Sequence, residues 1–310
     1  MKRWHVDATS VLSLNSLVIA CLALGLGLSA PAGAQDAKGS TAEPRFVSIP
    51  VKGAGLFGGA LDMVTEVFTP AGAGPFPVVV YAHGRDGTQQ ERSSMREVIP
   101  RAYLQYWLAK GFAVVAPMRP GYGKTGGTDR ELPGHRWDNF GGCIGSPNVE
   151  AVATAAGSAI LAALDWARQQ SWANASAVLL SGNSVGGLTV VALGAGSPAG
   201  VVGYINFVGG VAGNPSRSPG KSCEPDRVRE AFRAYGKSTR LPNLWLYAEN
   251  DLYWGPDVPK AWHAAFTAGG SPSTFVMTTP VPGPDGHDLL FNGRTLWSEH
   301  VDAFLKQIGM

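Results

Sequence analysis

The chain has 310 residues, of which 45% are hydrophobic and 15% charged. That is enough apolar material for a large core and too much for a disordered chain. Its 25 basic and 23 acidic residues leave a formal charge of +2 and are interspersed, and the absence of a basic stripe interleaved with aromatics argues against nucleic acid as a partner. The 41 glycines and 22 prolines promise many turns, and no repeat of about 20–50 residues marks a solenoid or propeller.

Residues 1–34 read as a cleaved export signal. Lys2 and Arg3 precede an apolar run from Val11 to Leu28, and Ser29-Ala30-Pro31-Ala32-Gly33-Ala34 supplies an Ala-x-Ala cleavage signature before Gln35. Two alternatives are opposed by the pattern. A membrane anchor fits poorly with a run broken by Ser13, Asn15 and Ser16, and lipidation at Cys21 fits poorly with apolar residues that continue to Leu28. No later stretch is expected to be long and apolar enough to span a bilayer. The expected location is therefore periplasmic or secreted, with a flexible lead-in over 35–45 and one domain over 46–310.

Export changes how the cysteines are read. Without Cys21 two remain, Cys143 and Cys223. Neither has a histidine at metal-ligand spacing, and in an oxidising compartment they are expected to pair as a disulfide. Two free buried thiols are the alternative.

Along the chain, strand-like runs alternate with helical patterns. Strands are expected at Phe46–Val51, Leu61–Phe68 and Val78–Ala82, the last a continuous apolar run of the kind found in buried parallel strands. A helical pattern over residues 94–110 precedes a strand at Phe112–Met118. Further on come helix Val149–Gln170, strand Ala177–Ser181, helix Val185–Leu193 and strand Val201–Val208. Strand Leu244–Ala248, helix Val258–Ala268, strand Thr274–Thr278 and helix Arg294–Ile308 complete the series. The fold class is α/β, a mostly parallel central sheet flanked by helices on both faces. Stretches 119–148 and 209–224 show no period and read as loop insertions above the sheet edge, where open α/β folds bind ligands.

Chemistry centres on Gly182-Asn183-Ser184-Val185-Gly186. Gly-x-Ser-x-Gly places a serine on a sharp strand-to-helix turn. With 41 glycines in the chain the pentapeptide alone carries little weight, but a buried-strand run precedes it and an apolar helical run follows. A serine is inert until a base takes its proton. Of the three histidines after Ser184, His263 and His300 sit in helical patterns, whereas His287 lies in the loop between the last strand and last helix and is expected to be that base. The acid should follow the preceding strand, where Asp251 is expected to hold the imidazole, with Glu249 and Asp257 as fallbacks. Backbone N–H groups of Val185 and Arg85 are expected to form the oxyanion hole. His83, before the nucleophile and beside a glycine turn, reads as structural. Tyr253, Trp254, Trp137 and Phe140 are candidates to line a substrate pocket, and Trp107 reads as core.

The strand-His83-Gly84 loop, Arg119-Pro120-Gly121-Tyr122-Gly123, the Ser184 elbow, Asp251 and His287 together resemble an α/β-hydrolase of the dienelactone-hydrolase-like esterase branch over residues 46–308. The resemblance implies a serine hydrolase cleaving small-molecule or polymer-borne carboxylic esters, with no metal and no organic cofactor. Dienelactone hydrolases proper typically carry cysteine at the elbow, so Ser184 shifts the expectation to a serine esterase. A prolyl-oligopeptidase-type peptidase shares the catalytic domain but usually carries a large accessory domain, and an inactive binding protein would not need the complete Ser-Asp-His order. A phosphate loop at Gly123-Lys124-Thr125 fails because Met118 stands where the first glycine is required.

Overall fold

In the computed structural model, which describes residues 43–310, apolar runs too short for buried helices assemble into one eight-stranded sheet. The expected signal, its cleavage point near Ala34, Cys21 and most of the lead-in lie outside the described residues. In chain order the elements are β1 (Arg45–Val51), β2 (Leu61–Phe68), β3 (Phe76–Ala82), α1 (Gln89–Ser94), α2 (Arg101–Ala109), β4 (Ala113–Pro117), β5 (His135–Trp137) and β6 (Cys143–Gly145). They continue with α3 (Val149–Arg168), β7 (Ala173–Asn183), α4 (Val185–Ala195), β8 (Val201–Phe207), β9 (Gly213–Asn214), β10 (Ser218–Ser222) and α5 (Pro225–Ser238). The last are β11 (Asn243–Ala248), α6 (Asp257–Thr267), β12 (Ser273–Thr278), α7 (Leu289–Asn292) and α8 (Arg294–Gln307).

The sheet order is β1-β2-β4-β3-β7-β8-β11-β12. Pairing is antiparallel for β1/β2 and β2/β4 and parallel from β4 onward. Val78, Val79 and Val80 of β3 and Leu179 and Leu180 of β7 are fully buried. Covered on both faces, these strands carry no polar alternation, and each such side chain contributes roughly 1.5–3 kcal/mol of burial. Helices α3, α4 and α5 pack in succession along one layer, and α2, α7 and α8 form another. The fold is the expected mostly parallel sheet flanked by helices.

Two expectations need correction, and one helix lies beyond them. The helix expected over 94–110 is confined to α2, because residues 95–100 are non-helical up to Pro100, the N-cap of α2, and α1 ends at Ser94. The residue before a proline is pushed out of the helical region. Helix α3 meets the length and apolarity of a membrane span, but half of its most apolar stretch is buried against the protein. It is a core helix, packing on β3, β4 and β7. Helix α5 was not anticipated at all, although Pro225 at its first turn, Asp226 beside it and buried Val228, Ala231, Phe232 and Gly236 give it a start signal and an apolar face.

One buried carboxylate makes stability depend on pH. Glu66 on β2 is 4% exposed and accepts a 3.3 Å hydrogen bond from the Val98 N–H. Burial is the largest influence and raises its pKa to about 7. A raised folded-state pKa gives stability that is complete below the unfolded value and is lost as pH rises through about 7. The loss amounts to roughly 2 kcal/mol once solvent screening is allowed for. Glu66→Gln keeps the acceptor and removes the ionisation. Thermal unfolding at pH 5 and pH 8 should show the variant gaining about 5 °C over wild type at pH 8 and little at pH 5. Equal Tm differences at both pH values would refute this account.

Candidate active site

The serine sits where the backbone is most constrained. Ser184 lies between β7 and α4 at φ 55°, ψ −124°, a region that costs a non-glycine residue about 1–3 kcal/mol. The flanking glycines make the turn possible by close approach. A Cβ at Gly182 would stand 2.3 Å from the Gly186 carbonyl oxygen, and one at Gly186 would stand 2.0 Å from the Ala82 carbonyl oxygen. Hydrogen bonds hold the turn from several sides. Ser184 N–H donates to Phe207 O at 2.9 Å, while Ser184 O accepts from Leu188 N–H at 3.0 Å and Gly210 N–H at 3.2 Å. Beneath it, the Tyr81 hydroxyl donates to Asn183 Oδ1 at 2.6 Å. Val185 is the first residue of α4, so its N–H has no carbonyl one turn back to bond and points outward from the positive helix end.

The residues expected as acid and base lie on later loops along the same carboxyl-end edge. Asp251 follows β11 and His287 follows β12. His287 Nδ1 lies 3.1 Å from Asp251 Oδ2. The other oxygen, Oδ1, accepts the N–H groups of Tyr253 at 2.7 Å and Trp254 at 3.2 Å. Asp251 is 2% exposed, and these donors compensate its buried charge. Tyr253 stacks on the imidazole with centroids 3.9 Å apart at 26°, and Trp254 meets it edge-on at 5.5 Å. His287 Nε2 is buried and has no hydrogen-bond partner among the described residues. The Ser184–His287 hydrogen bond is therefore open in this structure. Of the fallback acids, Glu249 is exposed and Asp257 is exposed and paired with Lys260 at 3.4 Å. His263 bonds Ser273 Oγ at 2.9 Å and burial lowers its pKa to about 4, while His300 is exposed on α8.

The loop after β3 is held by a buried ion pair that the sequence reading did not single out. Arg119 is fully buried and forks onto Glu131, Nε to Oε1 at 2.5 Å and Nη2 to Oε2 at 3.0 Å. The same guanidinium donates to His83 O at 2.5 Å and Gly84 O at 3.2 Å. His83 Nε2 accepts the Arg119 N–H at 3.2 Å, and its Nδ1 lies 2.7 Å from Gly84 O. Burial, then the Arg119 charge, holds the His83 pKa well below 6.5, so it is a neutral scaffold residue. Arg85, next in the loop, borders the cavity and pairs through its side chain with Asp129 at 2.7 Å.

Ser184 and Val185 open into a cavity of about 370 Å³, within the usual range for small-ligand sites. Arg85, Trp137, Tyr253 and Trp254 line it with them. Phe140 does not. Asp138 Oδ1 accepts the N–H groups of Phe140 and Gly142, both at 2.8 Å, and this tight turn leaves Phe140 98% exposed. Trp107 is buried in the core. The two insertions are short hairpins, β5/β6 and β9/β10, and both border the cavity, through residues 135–137 and 213–216. A disulfide joins Cys143, the first residue of β6, to Cys223 just past β10, with Cα atoms 5.5 Å apart. Closing a loop of 80 residues stabilises by about 4.5 kcal/mol in the chain-entropy model, and such bridges persist in oxidising compartments. Thr125 of the Gly-Lys-Thr turn spends its hydroxyl on Met118 O at 2.6 Å and on the Val64 N–H at 3.0 Å, so it offers nothing to a phosphate. No group of three or more metal-ligating side chains is clustered among the described residues.

No family model matches the chain, and no curated protein matches it in sequence. Solved structures do match in shape. A Pyrococcus furiosus esterase superposes with a TM-score of 0.59 at 14% identity, over 89% of this chain and 96% of that one. The acylaminoacyl peptidase of Pyrococcus horikoshii gives 0.58 at 17% identity over 87% of this chain but 42% of that one. A Klebsiella pneumoniae protein provisionally named a dienelactone hydrolase gives 0.51 at 15% identity, over 86% and 99%. With the sheet order, the serine turn and these likenesses together, the chain has an α/β-hydrolase fold.

Proposed function

We propose that the chain is a serine hydrolase that cleaves carboxylic esters through an acyl-enzyme on Ser184, in an oxidising compartment outside the cytoplasm. One observation carries the reading. The positive-φ serine opens into a cavity whose wall, Tyr253, lies flat on the imidazole of the Asp251-bonded His287. Ser184 Oγ attacks the ester carbonyl and its proton passes to His287 Nε2, the ring nitrogen without another partner. Asp251 fixes the Nδ1–H tautomer and stabilises the imidazolium. The tetrahedral oxyanion takes the N–H groups of Val185 and Arg85. Collapse breaks the C–O bond, and the alcohol leaves with the proton from Nε2. Water then repeats the sequence at the acyl-enzyme and regenerates Ser184 and the free acid. Resting hydrogen bonds at such sites are often open and tighten only around substrate.

A second reading, amide cleavage, rests on the likeness to the acylaminoacyl peptidase. Labelling with a fluorophosphonate probe, then assay on short acyl esters and aminoacyl-prolyl amides, separates the two. Labelling at Ser184 with ester turnover at least about a hundredfold above amide turnover is the expected result. Labelling with amide preference would install the peptidase reading, and no labelling would remove both.

A further inference from the structure

We propose that Asp285 is a positioning residue that ties the acid loop to the base loop, an inference that rests on the hydrolase reading above. Its single oxygen Oδ1 accepts two backbone N–H groups, that of His287 at 2.8 Å and that of Leu252 at 2.9 Å. Leu252 directly follows Asp251. One carboxylate atom thus fixes the peptide beside the acid and the peptide that carries the base, although Asp251 and His287 lie 36 positions apart.

The surrounding contacts show why a tie is required at this point. The two loops are already joined by Gly286 N–H donating to Asn250 O at 2.9 Å, and the Asn250 side chain bonds both the N–H and the carbonyl of Val281, at 2.9 and 3.1 Å. Those bonds set the distance between the loops. None of them touches the backbone of His287 itself. The imidazole is attached to the acid only by the 3.1 Å contact of Nδ1 with Asp251, and Nε2 has no protein partner to steady it. Tyr253 and Trp254 pack against the ring but leave it free to slide in its own plane about that one bond, and proton transfer loses rate steeply when the base strays by about 1 Å. The Asp285–His287 bond removes that freedom, and the Asp285–Leu252 bond makes the acid move with the base.

The competing role is purely local. Asp285 is also the N-cap of the short turn Gly286–Asp288, and capping needs only the bond to His287 N–H. Three substitutions separate the roles. Asp285→Asn keeps an oxygen at the same reach for both donors. Asp285→Ser keeps a cap within its own turn but is too short to reach Leu252. Asp285→Ala removes both. If Asp285 positions the pair, the Asn variant keeps kcat within about threefold of wild type, whereas the Ser and Ala variants lose about 10- to 100-fold in kcat with KM within about twofold, because the cavity lining is unchanged. A readout independent of turnover is the low-field proton resonance of His287 Nδ1–H hydrogen-bonded to Asp251. It should persist in wild type and the Asn variant and broaden or vanish in the Ser and Ala variants. A Ser variant with wild-type kcat and an unchanged resonance would overturn the proposal and leave only the cap. Should Ala fail to fold, the Asn and Ser pair still decides. A Ser184→Ala protein with full activity would strike at the hydrolase reading, while the resonance would still report on Asp285.

Discussion

Replacing Ser184 with alanine will lower kcat/KM for ester substrates by about 10⁴- to 10⁶-fold, with Tm within about 2 °C of wild type. The size follows from what is removed. Without the hydroxyl there is no acyl-enzyme, and only the N–H donors of the proposed oxyanion hole and substrate positioning remain, which typically retain about 10³–10⁴ over water. Stability holds because alanine inherits the same φ of 55°, and the turn is fastened through main-chain atoms. Ser184 N–H and Ser184 O carry those bonds, and alanine has both. A glycine at the same position makes the sharper comparison. It removes the hydroxyl as well, but it occupies φ 55°, ψ −124° without the steric cost a Cβ meets there. Ser184→Gly should therefore be as inactive as Ser184→Ala and more stable than wild type by about 1 kcal/mol, or roughly 2 °C in Tm. Steady-state kinetics with calorimetry on the two variants tests both halves. An alanine variant with near-full turnover ends the assignment of Ser184, and a glycine variant less stable than the alanine one ends the argument that the elbow stores strain.

How much of this was legible follows the strength of each local signal. The strands β3, β4 and β11 were readable because a strand buried on both faces must be apolar at every position, and Val78–Ala82 or Leu244–Ala248 admit no other reading at that length. The serine turn was readable because its glycines are dictated by hard contacts with the Ala82 and Gly186 carbonyls. The order of β2, β4 and β3 in the sheet was not, since it depends on crossovers that no local pattern encodes. The hairpins β5/β6 and β9/β10 contain strands of two to five residues, too short to express a period of two, and so read as loop. Phe140 reads as a pocket residue because it is aromatic and lies in an insertion; the Asp138 turn that faces it to solvent is a side-chain-to-backbone device invisible to hydrophobic patterning. Asp285 and Glu131 were passed over for a similar reason. Each is an acidic residue in a polar loop, and only the fold brings it to Leu252 or to Arg119.

Glu131→Ala is the second substitution expected to have a large effect, and it acts on stability first. The Arg119–Glu131 pair is buried on both sides, at 0% and 2% exposure. Losing the carboxylate strands a guanidinium that keeps its charge at any practical pH. Breaking a buried pair in this one-sided way costs about 3–5 kcal/mol, or roughly 10 °C in Tm for a domain of this size. Tyr122 also loses its acceptor, since its hydroxyl donates to Glu131 Oε2 at 3.0 Å. The consequence for catalysis runs through the loop after β3. Arg119 draws the carbonyls of His83 and Gly84 toward itself, which constrains the peptide plane before Arg85, whose N–H is proposed as an oxyanion donor. A guanidinium released from Glu131 no longer has a fixed plane, and those carbonyls follow it. Since one oxyanion donor is worth about 3 kcal/mol in the barrier, kcat measured well below the lowered Tm should fall by about 10- to 100-fold, with KM little changed. Arg119→Met combined with Glu131→Leu should recover much of the lost stability, because two apolar groups leave no buried charge, but not the lost rate, because the carbonyls of His83 and Gly84 are still without their donor. If the double variant regains full kcat along with its Tm, the buried pair serves the core alone and the loop is ordered by something else.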